Sequence, residues 1–323
     1  MDASLSAQDI HFSQFNRSYL NLNPALVGDF NGTHRFNANY RNQWSAVSEP
    51  FETISFSAET KAPFRNLKDL HLGLLFYNDE AGQGGLQTTQ INFSLAYAFK
   101  FKEDSSLVAN FGIQTGLNSR SINFDAFSFD RQFDGNQFNP NLGNGENFDR
   151  SSFNHTNLHA GFNLFYKVAN RKTFKAGFAF FNLNQANQSF QGSNIPLDQR
   201  TNYYIEADYY ISEKLDLLPA LLYSQQGPFE ELVYGSSIRY RLKQGGFNKQ
   251  NVYLGIWQRN EDALIASLGL DYRQWNVGVS YDINTSGLEV ASNNRGGLEV
   301  AVTYIIQTFK PVIRRYKSCP VYL

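Results

Sequence analysis

Residues 91–100 read Ile-Asn-Phe-Ser-Leu-Ala-Tyr-Ala-Phe-Lys. Successive side chains of a strand point to opposite faces, so Ile91, Phe93, Leu95, Tyr97 and Phe99 share one side, and Asn92, Ser94, Ala96, Ala98 and Lys100 share the other. The same period of two recurs along the chain. At 35–44, Phe36, Ala38, Tyr40 and Trp44 alternate with Arg35, Asn37, Asn39, Arg41 and Gln43. At 53–59, Ile54, Phe56 and Ala58 alternate with Thr53, Ser55, Ser57 and Glu59. Toward the end, Val277, Val279, Tyr281 and Ile283 alternate with polar or small residues, as do Leu298, Val300, Val302, Tyr304 and Ile306. Weaker alternation marks 70–78, 107–118, 157–167, 173–182, 202–211, 215–224, 233–241, 251–259 and 264–273. That makes about fourteen strands, an even number as in single-chain bacterial barrels. Pro219 falls inside one of them, where it removes a ladder donor. No 3.6-residue period competes over a useful length.

Alternation alone fits a soluble β-sandwich or jelly roll as well as a membrane barrel. Three features favour an all-β, up-and-down antiparallel transmembrane barrel. The strands run long enough to cross a bilayer when tilted, longer than is typical of globular proteins. The polar face carries Arg239, Arg241, Asp271, Arg273 and Asp282, which a water-filled lumen accommodates and a dry core does not. Tyr, Trp and Phe recur near strand ends, as an interfacial girdle requires. Composition agrees: of 323 residues 42% are hydrophobic, yet 29 are Phe and 18 are Tyr. Lipid-facing and lumen-facing hydropathies cancel in such a barrel, and no apolar run is long enough for a membrane-spanning helix. A net charge of −1 argues against bulk capture of nucleic acid.

Connection lengths orient the barrel. Links from even to odd strands are mostly short, as at 101–106, 168–172, 212–214 and 274–275. Links from odd to even strands include 79–90, 119–156, 183–201, 225–232 and 284–297. Outer-membrane barrels have short periplasmic turns and longer outer loops, so both chain ends are expected on the periplasmic side. Three parts follow: an N-terminal segment 1–34 on the periplasmic side or in the lumen, a barrel 35–306, and a periplasmic tail 307–323. The small residues before Gln8-Asp9 read as the remnant of a cleaved signal. Segment 8–34 carries Phe12, Phe15, Tyr19, Leu20 and Leu22, too apolar for loose coil, and is expected to pack against the periplasmic mouth or enter the lumen.

The residues that could carry chemistry are few. His155 and His159 have metal-ligand spacing for a helix but lie in a strand with no fixed partner. The Asn- and Asp-rich run 134–149 lacks the spacing and terminal Glu of a calcium loop. Neither a nucleophile-elbow motif nor a phosphate-binding glycine loop occurs. Cys319 is the one cysteine, so no internal disulfide forms. No metal, cofactor or enzymatic activity is expected. Loop 119–156 places Phe124, Phe127 and Phe129 among polar residues, which suits a partner-binding surface or aromatics folded into the barrel mouth. The basic run Arg314, Arg315 and Lys317 suits an acidic periplasmic partner or a solvated tail.

Gln8-Asp9-Ile10-His11-Phe12-Ser13-Gln14-Phe15, Leu22-Asn23-Pro24-Ala25-Leu26-Val27-Gly28 and Tyr40-Arg41-Asn42-Gln43-Trp44 resemble, in order and spacing, the opening of the PorP/SprF family. Cys319-Pro320 near the end resembles that family's C-terminal tail, although the last residue here is Leu323 where an aromatic is usual. The resemblance covers about the first fifty residues and the last seven. It implies an outer-membrane barrel of Bacteroidota acting in type IX secretion and gliding. Implied partners are outer-membrane lipid, a secreted adhesin with a type IX C-terminal sorting domain, and periplasmic components of the machine. Phe12, Gln14, Asn23, Pro24, Gly28, Arg41, Gln43, Trp44, Cys319 and Pro320 are the motif positions it marks. Arg41 suits a lumen charge network and Trp44 an interfacial belt, with partner contact as the other reading of both. A passive porin or small-solute transporter is the alternative to a secretion role.

Overall fold

The computed structural model describes residues 9–43, 50–64, 66–82, 84–101, 106–139, 141–143, 150–190, 193–244, 249–285 and 295–307. Fourteen antiparallel strands close in chain order into one barrel, with β1 paired to both β2 and β14. They are β1 (His34–Gln43), β2 (Phe51–Lys61), β3 (Leu70–Ala81), β4 (Leu86–Lys100), β5 (Leu107–Ser121), β6 (Ser152–Ala169), β7 (Lys172–Phe181), β8 (Arg200–Tyr210), β9 (Leu215–Gln226), β10 (Phe229–Lys243), β11 (Gln250–Arg259), β12 (Ala263–Tyr272), β13 (Trp275–Asn284) and β14 (Arg295–Ile306). This is the all-β barrel that the period of two implies. Among the described residues no helix is long and apolar enough to cross a membrane.

The alternation sorts the side chains as a barrel wall requires. Phe36, Ile54, Phe56, Ile91, Phe93, Ile113, Leu254, Leu268 and Leu298 stand exposed on the outside. Their strand neighbours Arg35, Asn37, Asn92, Ser94, Gln114 and Glu299 are buried inside. Tyr97, Tyr209, Tyr240, Tyr272 and Trp275 ring the outside at the end where β1 starts, hereafter the near mouth, and Tyr40, Tyr203, Tyr234 and Tyr281 ring the far mouth. Leu254 lies midway along β11, facing outward and 58% exposed. Leu254→Arg is nearly free in water but places a cation at mid-membrane, which costs about 2–4 kcal/mol. Reversible urea unfolding in phospholipid vesicles is expected to show that loss; an unchanged midpoint would place this face in water.

The strands extend further than their hydropathy suggests. β4 starts at Leu86 and runs through the polar stretch Gln87-Thr88-Thr89-Gln90, so the expected long link 79–90 shrinks to residues 82–85. The expected loop 225–232 shrinks to the two-residue hairpin Gly227-Pro228. Beyond the lipid both faces of a strand are wet, so pairing continues where alternation stops. The long far-mouth links are 122–151, 182–199 and 285–294. Arg273 is not on the lumen face as the period suggests; it sits in the turn between β12 and β13 with φ 58. At Pro219 the β8–β9 ladder skips from Glu206↔Ala220 to Tyr209↔Leu217, as the missing N–H demands.

The bore is filled. Side chains fill the interior of an eight-stranded barrel, whereas sixteen or more strands leave an aqueous channel. Fourteen lie between, and residues 9–33 occupy the difference. Asp9 is at the far mouth: its N–H donates to Gln226 Oε1 (2.8 Å), and its carboxylate accepts from Asn182 Nδ2 (2.8 Å). From there the chain descends through a 3-10 turn (Phe15–Arg17), a helical turn α1 (Tyr19–Leu22) and a second 3-10 turn (Pro24–Leu26). It reaches the near mouth at Thr33, whose backbone bonds Ile306 and Lys61. The chain ends themselves, expected on one side, lie outside the described residues. Residue 307 follows β14 at the near mouth, while Asp9 lies at the opposite one.

Candidate functional site

The inserted segment and the wall around it form the most elaborate arrangement in the protein. At its centre Asn23 has an extended backbone and caps the turn that follows. Its Oδ1 accepts from the Ala25 N–H at 2.8 Å, and Pro24 supplies a first residue that needs no donor. Asn23 Nδ2 reaches the wall, donating to the carbonyls of Phe162 (2.8 Å) in β6 and Phe178 (3.1 Å) in β7. The backbone approaches so closely that a Cβ on Gly161 would lie 2.0 Å from Asn23 Oδ1, and one on Gly112 would lie 2.4 Å from Ala25 N.

Apolar contacts flank this anchor. Phe15, Leu22 and Leu26 pack with Tyr204, Leu222, Val233, Trp257 and Ile265, and Phe15 meets Trp257 edge-on at 5.8 Å. Leu20 and Val27 pack with Leu75, Tyr77 and Ala96. This apolar patch is absent from a reading that treats the lumen face as polar throughout. Its signal is the adjacent pairs Leu221-Leu222, Leu232-Val233, Ile256-Trp257 and Leu264-Ile265, where both faces of a strand are apolar because both are covered.

Charge networks hold the segment at either end. Near the far mouth Asp282 accepts from Arg41 (3.3 Å), Arg259 (3.0 Å) and the Ser13 hydroxyl (2.7 Å). Glu299 accepts from the backbone N–H groups of Ser13 (2.7 Å) and Gln14 (3.0 Å), and Arg41 donates to the His11 carbonyl. At the near mouth Arg35 and Glu59 form a bidentate pair (2.7 and 2.8 Å). Glu59 also accepts from the Gly28 N–H (3.0 Å), and the Arg35 guanidinium stacks on Tyr19 at 3.6 Å. Burial alone would raise the pKa of the Asp29 carboxyl, but the Lys175 ammonium at 2.6 Å, with Arg35 and Lys61 beyond, holds it below the ordinary value.

Gly28 turns the chain here with φ +77, and a Cβ would sit 2.5 Å from His71 Cγ. Gly28→Ala combines left-handed strain of about 1–2 kcal/mol with overpacking of about 1–3 kcal/mol. The variant is expected to unfold roughly 2–5 kcal/mol more easily. A midpoint equal to that of the unaltered protein would mean that the segment does not turn beneath His71.

The motif residues thus gather along one line of contact. Phe12 is buried; Gln14, Asn23, Pro24, Gly28 and Arg41 join segment to wall. Gln43 lines a recess of about 290 Å³ at the far mouth with Arg259, Asp262 and Asp282. A second recess of about 360 Å³ lies between the segment (Ile10, Phe12, Phe15) and Arg200, Leu222 and Glu231 of the wall. Trp44, Arg314, Arg315, Lys317, Cys319 and Pro320 lie outside the described residues.

In the far-mouth loop, Phe124 packs edge-on against Phe190 (5.9 Å) and Phe127 against Phe129 (6.5 Å); all three loop residues are half-buried. Phe133 and Phe138 face each other across a β-bridge and remain exposed. Asp134 between them accepts the N–H groups of Asn136 and Gln137, which hold its pKa below the ordinary carboxylate value. His155 stacks on Phe153, His159 accepts from the Asn182 N–H, and no three potential ligands cluster among the described residues.

Residues 4–304 match the family described as type IX secretion system membrane protein PorP/SprF. No curated protein matches the chain. Among solved structures, the Ralstonia pickettii toluene transporter TbuX is similar with a TM-score of 0.50 and 10% identity, over 89% of this chain and 92% of that one. The Pseudomonas putida toluene transporter TodX gives 0.50 and 9%, over 93% and 95%. At these identities the likeness is one of fold.

Proposed function

This chain belongs to the PorP/SprF family of type IX secretion system membrane proteins, and from that premise we propose that its barrel serves secretion as a plugged docking body rather than as an open pore or an enzyme. It is an outer-membrane protein, and its association is with the secretion system. In this reading the far mouth is extracellular. It holds a secreted adhesin through that adhesin's C-terminal sorting domain, while the near mouth meets periplasmic components of the machine. The observation that carries the reading is the filled bore. A polypeptide cannot pass residues 9–33 while Asn23, Arg35 and Glu299 remain bonded. Work on cargo therefore falls to the mouths, and the far mouth carries the long loop with exposed Phe133 and Phe138.

The test uses the full-length protein in lipid nanodiscs and an isolated type IX sorting domain from an adhesin of the same genome. Saturable binding, lost when 122–151 is replaced by a short Gly-Ser turn, is expected. Undiminished binding by that loop variant would move the docking site elsewhere. Absence of binding, together with steady ohmic current through the intact protein, would favour a passive porin.

A further inference from the structure

The two mouths carry opposite charge. Exposed at the near mouth are Lys68, Lys100, Lys167, Lys214, Lys243, Lys249 and Arg273, and among the described residues Glu213 is the one exposed acid there. The other near-mouth acids are paired with cations: Glu59 with Arg35, Asp216 with Arg171 and Arg239, Asp208 with Arg239, Asp29 and Glu206 with Lys175, Asp271 with Lys249, and at the rim Asp69 with Lys100. At the far mouth the exposed charges include Glu80, Asp130, Asp134, Glu230 and Glu261, against Arg131 and Arg150.

The near-mouth cations are continuous with the lipid-facing belt. Arg273 lies over the ring of Tyr272 (5.3 Å), and the half-buried Lys172 lies over Tyr209 (5.3 Å). Both tyrosines belong to the girdle and face outward beside Trp275, Tyr240 and Leu270. Cations stacked on girdle rings stand at headgroup depth. There a lipid phosphate is the nearest anion, and amphipathic rings and long basic side chains collect.

We propose that the near-mouth rim is a binding belt for anionic phospholipid headgroups, with Lys172 and Arg273 as contact points on the girdle and Lys68, Lys214 and Lys243 enlarging the attractive field. Each basic group near an anionic leaflet contributes about 1 kcal/mol. The acidic far mouth is repelled by the same surface, so the belt also fixes which mouth faces the phospholipid leaflet. The proposal concerns the membrane face of the barrel and stands whether or not the far mouth binds an adhesin.

The experiment is native mass spectrometry of the full-length protein released from mixed micelles with equal phosphatidylglycerol and phosphatidylcholine. Several phosphatidylglycerol molecules should be retained, with at least a roughly fivefold preference, given the ~1 kcal/mol per basic group. Replacing Lys68, Lys172, Lys214, Lys243 and Arg273 by Gln should abolish the preference. The Arg131→Gln, Arg150→Gln variant of the far mouth should keep it. Heat-modifiable migration on gels reports that each variant is folded, and the lipid preference of the unaltered protein needs no variant. Equal retention of the two lipids would overturn the proposal and leave the rim to an acidic protein face. Full displacement by millimolar inorganic phosphate would also overturn it, since the site would then be for a free ion.

Discussion

Deleting residues 9–28 is expected to turn a closed barrel into one that conducts in discrete ohmic steps. The segment fills the bore with Phe12, Phe15, Leu20, Leu22, Leu26 and Val27, all buried. Each such side chain gains about 1.5–3 kcal/mol on leaving water, so spontaneous withdrawal is rare and the intact protein stays closed. Without the segment the wall presents Arg41, Asp282, Glu299, Asn92 and Gln114 to the lumen, groups that water and ions solvate. The fourteen-strand ladder does not run through the deleted residues, since β1 begins at His34, so the cylinder itself remains paired. Single-channel recording in planar bilayers checks this, with heat-modifiable migration as the folding control. A folded deletion variant that stays electrically silent would mean that something other than this segment closes the bore.

The second large effect is expected at the near mouth. Glu59→Ala leaves the Arg35 guanidinium buried without its carboxylate, and breaking such a pair costs about 3–5 kcal/mol. Arg35 and Glu59 have side-chain exposures of 2% and 0%, so water does not replace the lost partner. Replacing both, as Arg35→Met with Glu59→Leu, removes the stranded charge. The Gly28 N–H and the Asp29 carbonyl still lose their partners, at about 1–3 kcal/mol for a buried group, while the Leu26 carbonyl keeps the Asp29 N–H. The double variant is therefore expected to be more stable than Glu59→Ala alone, though less stable than the original protein. Urea unfolding in detergent measures all three. A single variant no weaker than the double one would show that the pair is solvated.

Much of this was legible in the sequence, because a barrel wall translates period two directly into inside and outside. Strands such as 91–100 and 298–306 announce themselves, since lipid selects Ile, Phe and Leu on one face and the lumen selects Asn, Ser and Glu on the other. The strand extensions were hidden, because Gln87–Gln90 pair above the lipid where neither face needs to be apolar. The fate of segment 9–33 was only half visible. Its Phe and Leu residues required burial, but its direction depends on Asp9 meeting Gln226 and Asn182, which no local pattern encodes. The roles of Asn23, Pro24 and Gly28 were likewise hidden, because their partners Phe162, Phe178 and His71 stand far away in the chain. The lumen-side patch of Trp257 and Ile265 broke the alternation, and that break was the trace of the covering segment.

The most direct test of the filled bore is a disulfide between segment and wall. Val27 lies inside β3, with its Cγ2 3.1 Å from where a Cβ on Gly73 would stand. In a Cys319→Ser background, Val27→Cys with Gly73→Cys is expected to form an intramolecular disulfide when a mild oxidant takes up the two electrons and two protons, read as the mass loss of two hydrogens and protection from thiol reagents. Two cysteines that stay reduced and react freely with a water-soluble maleimide would place residue 27 outside the barrel.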